Sequence, residues 1–112
     1  MALIGTFTST ADGFTGSIKT LLLEAELTLS PLTRPVSDNP PDFLITVGKG
    51  REGLLVGAAR KRKTENGRDY LSIRIDDPTL EKPICAGLYL ADGSTSQYNL
   101  YWSRPYKTED KL

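Results

Sequence analysis

Four consecutive cations, Arg60, Lys61, Arg62 and Lys63, precede an Asn66-Gly67 pair, Arg68, Tyr70 and Arg74 in the stretch GAARKRKTENGRDYLSIRIDDP. Side chains of these types suit electrostatic recognition. Lysine and arginine neutralise phosphates or carboxylates, and a tyrosine ring is a surface on which a base can stack. Between Ala58 and Arg74 six basic residues stand against Glu65 and Asp69, an excess of four positive charges in a chain whose formal net charge is zero. The remainder is therefore equally acidic, so the zero net charge conceals a charge-separated molecule.

Other chemistry has weaker support. The chain has no histidine, which removes the commonest general base together with Ser-His-Asp and Cys-His catalysis. The single thiol, Cys85, can form neither an intramolecular disulfide nor a cysteine zinc site; it lies between Ile84 and Ala86 and reads as an inert small side chain. Asp76 and Asp77 could hold a divalent cation if Glu81 converged on them, but adjacent carboxylates on an extended chain point apart, and an Asp-Pro turn accounts for the pair. No nucleophile elbow, phosphate loop or dinucleotide fingerprint is present. The expectation is a binding module, with neither enzymatic activity nor a cofactor or metal.

The elements that must position the cations are strands. Period-two alternation of apolar and polar residues, punctuated by Gly, Asn, Asp and Pro, runs through almost the whole length. It predicts about seven antiparallel strands, over 3–9, 14–30, 42–47, 53–63, 68–76, 83–90 and 96–104. An all-β fold follows, as a small barrel or a two-sheet sandwich, in a single domain over 1–104 with a polar, fraying tail over 105–112. The 14–30 segment is ambiguous, because LLLEAEL favours helix by propensity while its alternation favours strand. Phe14, Gly16 and Ile18 are even-numbered and Leu21, Leu23, Ala25, Leu27 and Leu29 odd-numbered, so a continuous strand needs a bulge near 19–21. The stretch LSPLTRPVSDNPPDF holds four of the seven prolines and reads as a loop. No apolar run approaches the roughly 20 residues of a membrane span, and MALIGTFTST lacks the features of a signal peptide, so the expected setting is cytoplasmic.

Asn66-Gly67 is the strongest local signal, since both residues readily supply the positive φ of a type I′ hairpin turn. A two-residue loop pairs Lys63 with Tyr70 and Lys61 with Ser72. Val56, Ala58, Arg60 and Arg62 then share the core face with Leu71, Ile73 and Ile75, and Lys61, Lys63, Tyr70, Ser72 and Arg74 share the other. Arg60 and Arg62 reach water in this register only if the hairpin projects or their stems snorkel. On the last strand Tyr98, Leu100 and Trp102 take the core face, with Trp102 in the core, and Tyr101 faces outward with Tyr89.

The segments LIGTFT, GFTGSIKTLLL, PDF, GAARK, GRDYLSIRIDDP and YNLYWSR, in this order, resemble the bacterial family known as domain of unknown function 736. The resemblance spans residues 4–104, and GRDYLSIRIDDP with YWSR is its most specific part. It implies no established activity. It does imply small accessory proteins of bacterial chromosomes, plasmids and integrative elements, hence a mobile-element or host-defence setting. The family tends to carry Trp after GAA, where this chain has Arg60.

Three readings of the hairpin stay open. Arg60, Lys61, Arg62, Lys63, Arg68, Tyr70 and Arg74 could bind nucleic acid; they could dock on an acidic protein surface, as an inhibitor would; or the charges could keep an edge hairpin soluble.

Overall fold

Alternating, turn-bounded runs become eight strands in the computed structural model, which describes residues 2–32, 38–48 and 53–104. They are β1 (Ala2–Ser9), β2 (Phe14–Lys19), β3 (Glu24–Pro31), β4 (Phe43–Val47), β5 (Leu54–Lys63), β6 (Asp69–Ile75), β7 (Ile84–Leu90) and β8 (Gln97–Trp102). Each strand pairs antiparallel with the next, and β8 returns to β1 through pairs such as Phe7 with Tyr98, closing the sheet into a barrel. Closure excludes the sandwich and leaves no full-length edge strand. The expected tail over 105–112 lies outside the described residues.

The eighth strand comes from the ambiguous 14–30 segment, which is neither a helix nor one bulged strand but a tight hairpin. The Thr20 amide donates to the Leu23 carbonyl at 2.7 Å, and the Leu23 amide donates to Thr20 Oγ1 at 3.2 Å. Beyond this reversal Ile18 pairs with Ala25, Gly16 with Leu27 and Phe14 with Leu29. A two-residue loop pairs even positions with odd ones, so both parity sets reach one interior without a bulge, except Leu21, expected with the odd set, which instead lies exposed in the loop.

Eight strands enclose a space just wide enough for side chains to fill. Ile18, Leu29, Ile45, Leu88 and Leu100 fill it, each fully buried, with Phe7, Leu27, Ala59 and Ile73 around them. Burial of each large apolar side chain contributes about 1.5–3 kcal/mol relative to exposure, which makes this column the main stabilising element. Trp102 sits on the interior side of β8 but only half-buried at the end of the strand, where the Arg104 guanidinium lies 5.2 Å from its ring centroid. The core place expected of Trp102 is thus only half realised, and Leu100 is the fully buried residue of β8.

The up-and-down order places the β1–β2, β3–β4, β5–β6 and β7–β8 connections at one end, the upper mouth, and the other three at the lower end. Pairing of β4 with β5 stops at Phe43 and Ala59, whereas β5 and β6 stay paired as far as Lys63 and Asp69. The basic hairpin therefore projects above the barrel. No helix among the described residues is long and apolar enough to cross a membrane.

Candidate functional site

Two local irregularities decide which way the cations point. At the hairpin tip the Gly67 amide donates to the Thr64 carbonyl and the Thr64 amide to the Arg68 carbonyl, both at 2.9 Å. Gly67 alone of the loop residues has positive φ, at +84°. The loop is thus three residues long, a turn followed by a glycine bulge, and the type I′ turn expected of Asn66-Gly67 does not form. Lys61 pairs with Leu71, Arg62 with Tyr70 and Arg60 with Ser72, one position away from the expected register.

The second irregularity lies lower on β5. Ile45 pairs with Gly57 and Thr46 with Leu55, which leaves Val56 as an extra residue. This bulge turns both Val56 and Ala59 into the core, three positions apart, in place of Val56 and Ala58. The assignment of β6 is unaffected: Leu71, Ile73 and Ile75 are buried. The assignment of β5 inverts. Arg60 and Arg62 stand on the outer wall with Tyr70, Ser72 and Arg74, while Lys61 and Lys63 lie on the interior side where it rises past the mouth.

On the outer wall the rings converge. Tyr70 and Tyr89 stack with centroids 4.9 Å apart and planes 12° from parallel, and Tyr101 lies 6.2 Å further along. The Arg68 guanidinium sits 5.4 Å from the Tyr89 centroid, within cation–π range, and donates to the Leu90 carbonyl at 2.7 Å. The Tyr89 ring folds across Gly87, where an added Cβ would come 2.6 Å from its Cε1. Gly87 and Tyr89 were missed as a unit from sequence, although their separation of two residues puts them on one strand face. Arg62 and Arg74, opposite Tyr70 and Cys85 respectively, flank the strip.

Arg60 belongs to this wall but is already engaged. Its guanidinium donates to Asn39 Oδ1 and the Pro40 carbonyl at 3.2 Å and to the Asn39 carbonyl at 2.9 Å. The position that sequence reasoning placed in the core instead staples β5 to the segment ahead of β4. Nearby, Asp42 accepts the Lys61 amide at 2.7 Å and so satisfies the backbone where β5 overshoots β4. Lys63 meets Asp69 across the hairpin at 2.6 Å, both side chains largely exposed.

The carboxylates at the lower end form a turn. Asp77 accepts from the Thr79 hydroxyl and, at 2.9 Å, from the Thr79 amide; these two bonds hold its carboxyl below the ordinary aspartate range. Among the described residues no three potential ligands gather to hold a metal ion. Cys85 is exposed on the outer wall opposite Arg74, a cross-strand neighbour that is invisible in the local sequence.

A family model described as "Protein of unknown function (DUF736)" matches residues 3–105. No curated protein and no solved structure matches the chain.

Proposed function

The chain belongs to the DUF736 family of proteins of unknown function, and for this member we propose a non-enzymatic module that binds single-stranded nucleic acid through its basic hairpin and outer wall. The observation that carries this reading is the strip of Tyr70, Tyr89 and Tyr101 with Arg68 against Tyr89, flanked by Arg62 and Arg74. Rings offer stacking surfaces to unpaired bases of any sequence, and guanidiniums offer charge to the backbone between them. A duplex hides its base faces, so the rings favour a single strand.

Edge protection explains these cations less well in a closed barrel than on an open sheet. In the projecting hairpin β5 is unpaired with β4 above Ala59 and β6 is unpaired with β7 above Leu71, and Arg74, paired with Cys85, lies below both overhangs. Arg62, Arg68 and Arg74 would contact phosphates and the tyrosines would stack; Arg60 would hold the hairpin in place. A bacterial mobile-element or defence setting fits a single-strand binder, because transfer and invasion both expose single strands.

Fluorescence anisotropy with labelled single-stranded DNA and RNA, beside the corresponding duplexes, tests the proposal. Single strands should bind at low salt with a dissociation constant below about 100 μM and weaken steeply as salt rises. R62E/R74E should remove most of the affinity. G87A, which displaces the Tyr89 ring, should weaken single strands by about tenfold, in line with loss of one stacked base. No binding below about 100 μM at low salt would overturn the reading. The competing reading, docking on an acidic protein surface, would then be tested by capturing a partner with wild type and charge-reversed protein.

A further inference from the structure

Above the packed column the barrel is not filled. A depression of about 1060 Å³ opens at the upper mouth between the β5–β6 and β7–β8 connections. Its floor is Leu71 and Leu88 with the half-buried rings of Phe14 and Tyr98, which meet edge to face at 4.9 Å. Leu88, Leu100 and Ile73 close the barrel beneath it, so the space is broad and shallow. Lys61 and Lys63 rise on one side, and Asp92 and Ser94 of the β7–β8 turn stand on another.

The charges around it are not equivalent. Lys63 is neutralised by Asp69, whereas the Lys61 ammonium has no hydrogen-bond partner among the described residues. Ser94 Oγ already accepts the Ser96 and Gln97 amides, at 3.2 and 2.9 Å, which fixes the turn that presents Asp92. The lining therefore combines an aromatic and aliphatic floor, the Lys61 ammonium, the Arg62 and Arg68 guanidiniums shared with the wall, and the Asp92 carboxylate.

We propose that this mouth is a second site, adjoining the outer wall at Arg62, Arg68 and Tyr70, and that it takes a nucleoside phosphate. A flat base suits a shallow space floored by rings, its amino or ring N–H group can donate to Asp92, and its phosphate can reach Lys61. A fatty anion fits poorly, because its tail would need depth that Leu88 and Leu100 occupy and would leave Asp92 desolvated without a donor. The volume lies at the upper limit of ordinary small-ligand clefts, about 300–1,000 Å³. One chemistry has two sources here: a free nucleotide, or the phosphorylated end of a strand lying on the wall.

Amide NMR titration of the full chain with AMP, UMP, adenosine and decanoate tests the proposal. AMP or UMP should shift Leu71, Leu88 and Asp92, saturating at or below about 1 mM, with adenosine at least about tenfold weaker. K61Q should weaken the nucleotide about tenfold without changing the thermal midpoint, and R74E, on the wall and outside the lining of the mouth, should leave it unchanged. Tighter binding of 5′-phosphorylated than 5′-hydroxyl oligonucleotide, lost in K61Q, would identify the strand end as the source; equal binding of the two, with AMP retained, would identify the free nucleotide. No shift at the mouth with any mononucleotide and no preference for the phosphorylated oligonucleotide would overturn the site, as would decanoate shifting these amides where AMP does not. Failure of the wall would appear instead as loss of oligonucleotide binding with AMP binding intact.

Discussion

Thr79 holds the Asp77 carboxylate with two donors, and the consequence is a pH-dependent turn. A carboxyl whose pKa is depressed on folding adds stability that is present above the unfolded aspartate value, about 3.9, and disappears as pH falls through the folded value. T79V removes the hydroxyl donor, the larger cause of the depression. Its Asp77 carboxyl should titrate higher by NMR, and wild type and variant should become equally stable at low pH, with any difference confined to the range above. Arg60 carries the other lesson at this scale. The residue type was legible as a cation, but its partners, Asn39 and Pro40, are twenty and more positions away and are set by how the β3–β4 connection returns. Tyr89 is similar: its outward face could be read from alternation, yet its stack on Tyr70 requires the pairing of β6 with β7.

The three shortest connections between strands share one device, a threonine whose hydroxyl accepts an amide from across the turn. Thr10 Oγ1 accepts from Gly13, Thr20 Oγ1 from Leu23 and Thr64 Oγ1 from Arg68, at 3.0, 3.2 and 3.0 Å. Threonine side chains that bond locally to the backbone compete well at turns, and this signal would have split 14–30 into two strands. The hairpin tip tests the turn type directly. In a type I′ turn both Asn66 and Gly67 need positive φ; here only Gly67 has it. G67A should therefore cost about 1 kcal/mol by denaturant unfolding, while N66A should stay within about 0.5 kcal/mol of wild type. Equal losses at the two positions would contradict the three-residue loop. The existence of this hairpin was plain from Asn-Gly between alternating runs, but its loop length was not, because two- and three-residue loops accept the same dipeptide. The Val56 bulge hid the error, since it shifts parity by one residue as well and kept an inward-facing Val56 compatible with the wrong register.

The barrel as a whole is polarised along its axis. Its upper end carries the basic hairpin, and its lower end exposes Leu21 and Leu22 almost completely, at 98% and 96%, with Leu54 and Leu55 also largely in water. Leu21 and Leu22 bury nothing in the monomer. L21N/L22D should therefore leave stability within about 0.5 kcal/mol of wild type and reduce concentration-dependent light scattering. A large loss of stability would mean that these leucines pack against the chain itself. The sequence by itself determined the all-β class, most strand positions, the set of core residues on β6 and the concentration of positive charge in one hairpin, because alternation and turn chemistry act over neighbouring residues. Only the tertiary structure decided that the sheet closes, that Arg62 stands on the outer side of the hairpin while Lys61 stands on the inner side, and that three tyrosines from three strands form one strip. Those outcomes depend on strand register, and register is set by single-residue irregularities and by contacts between segments far apart in the chain, neither of which a local pattern records.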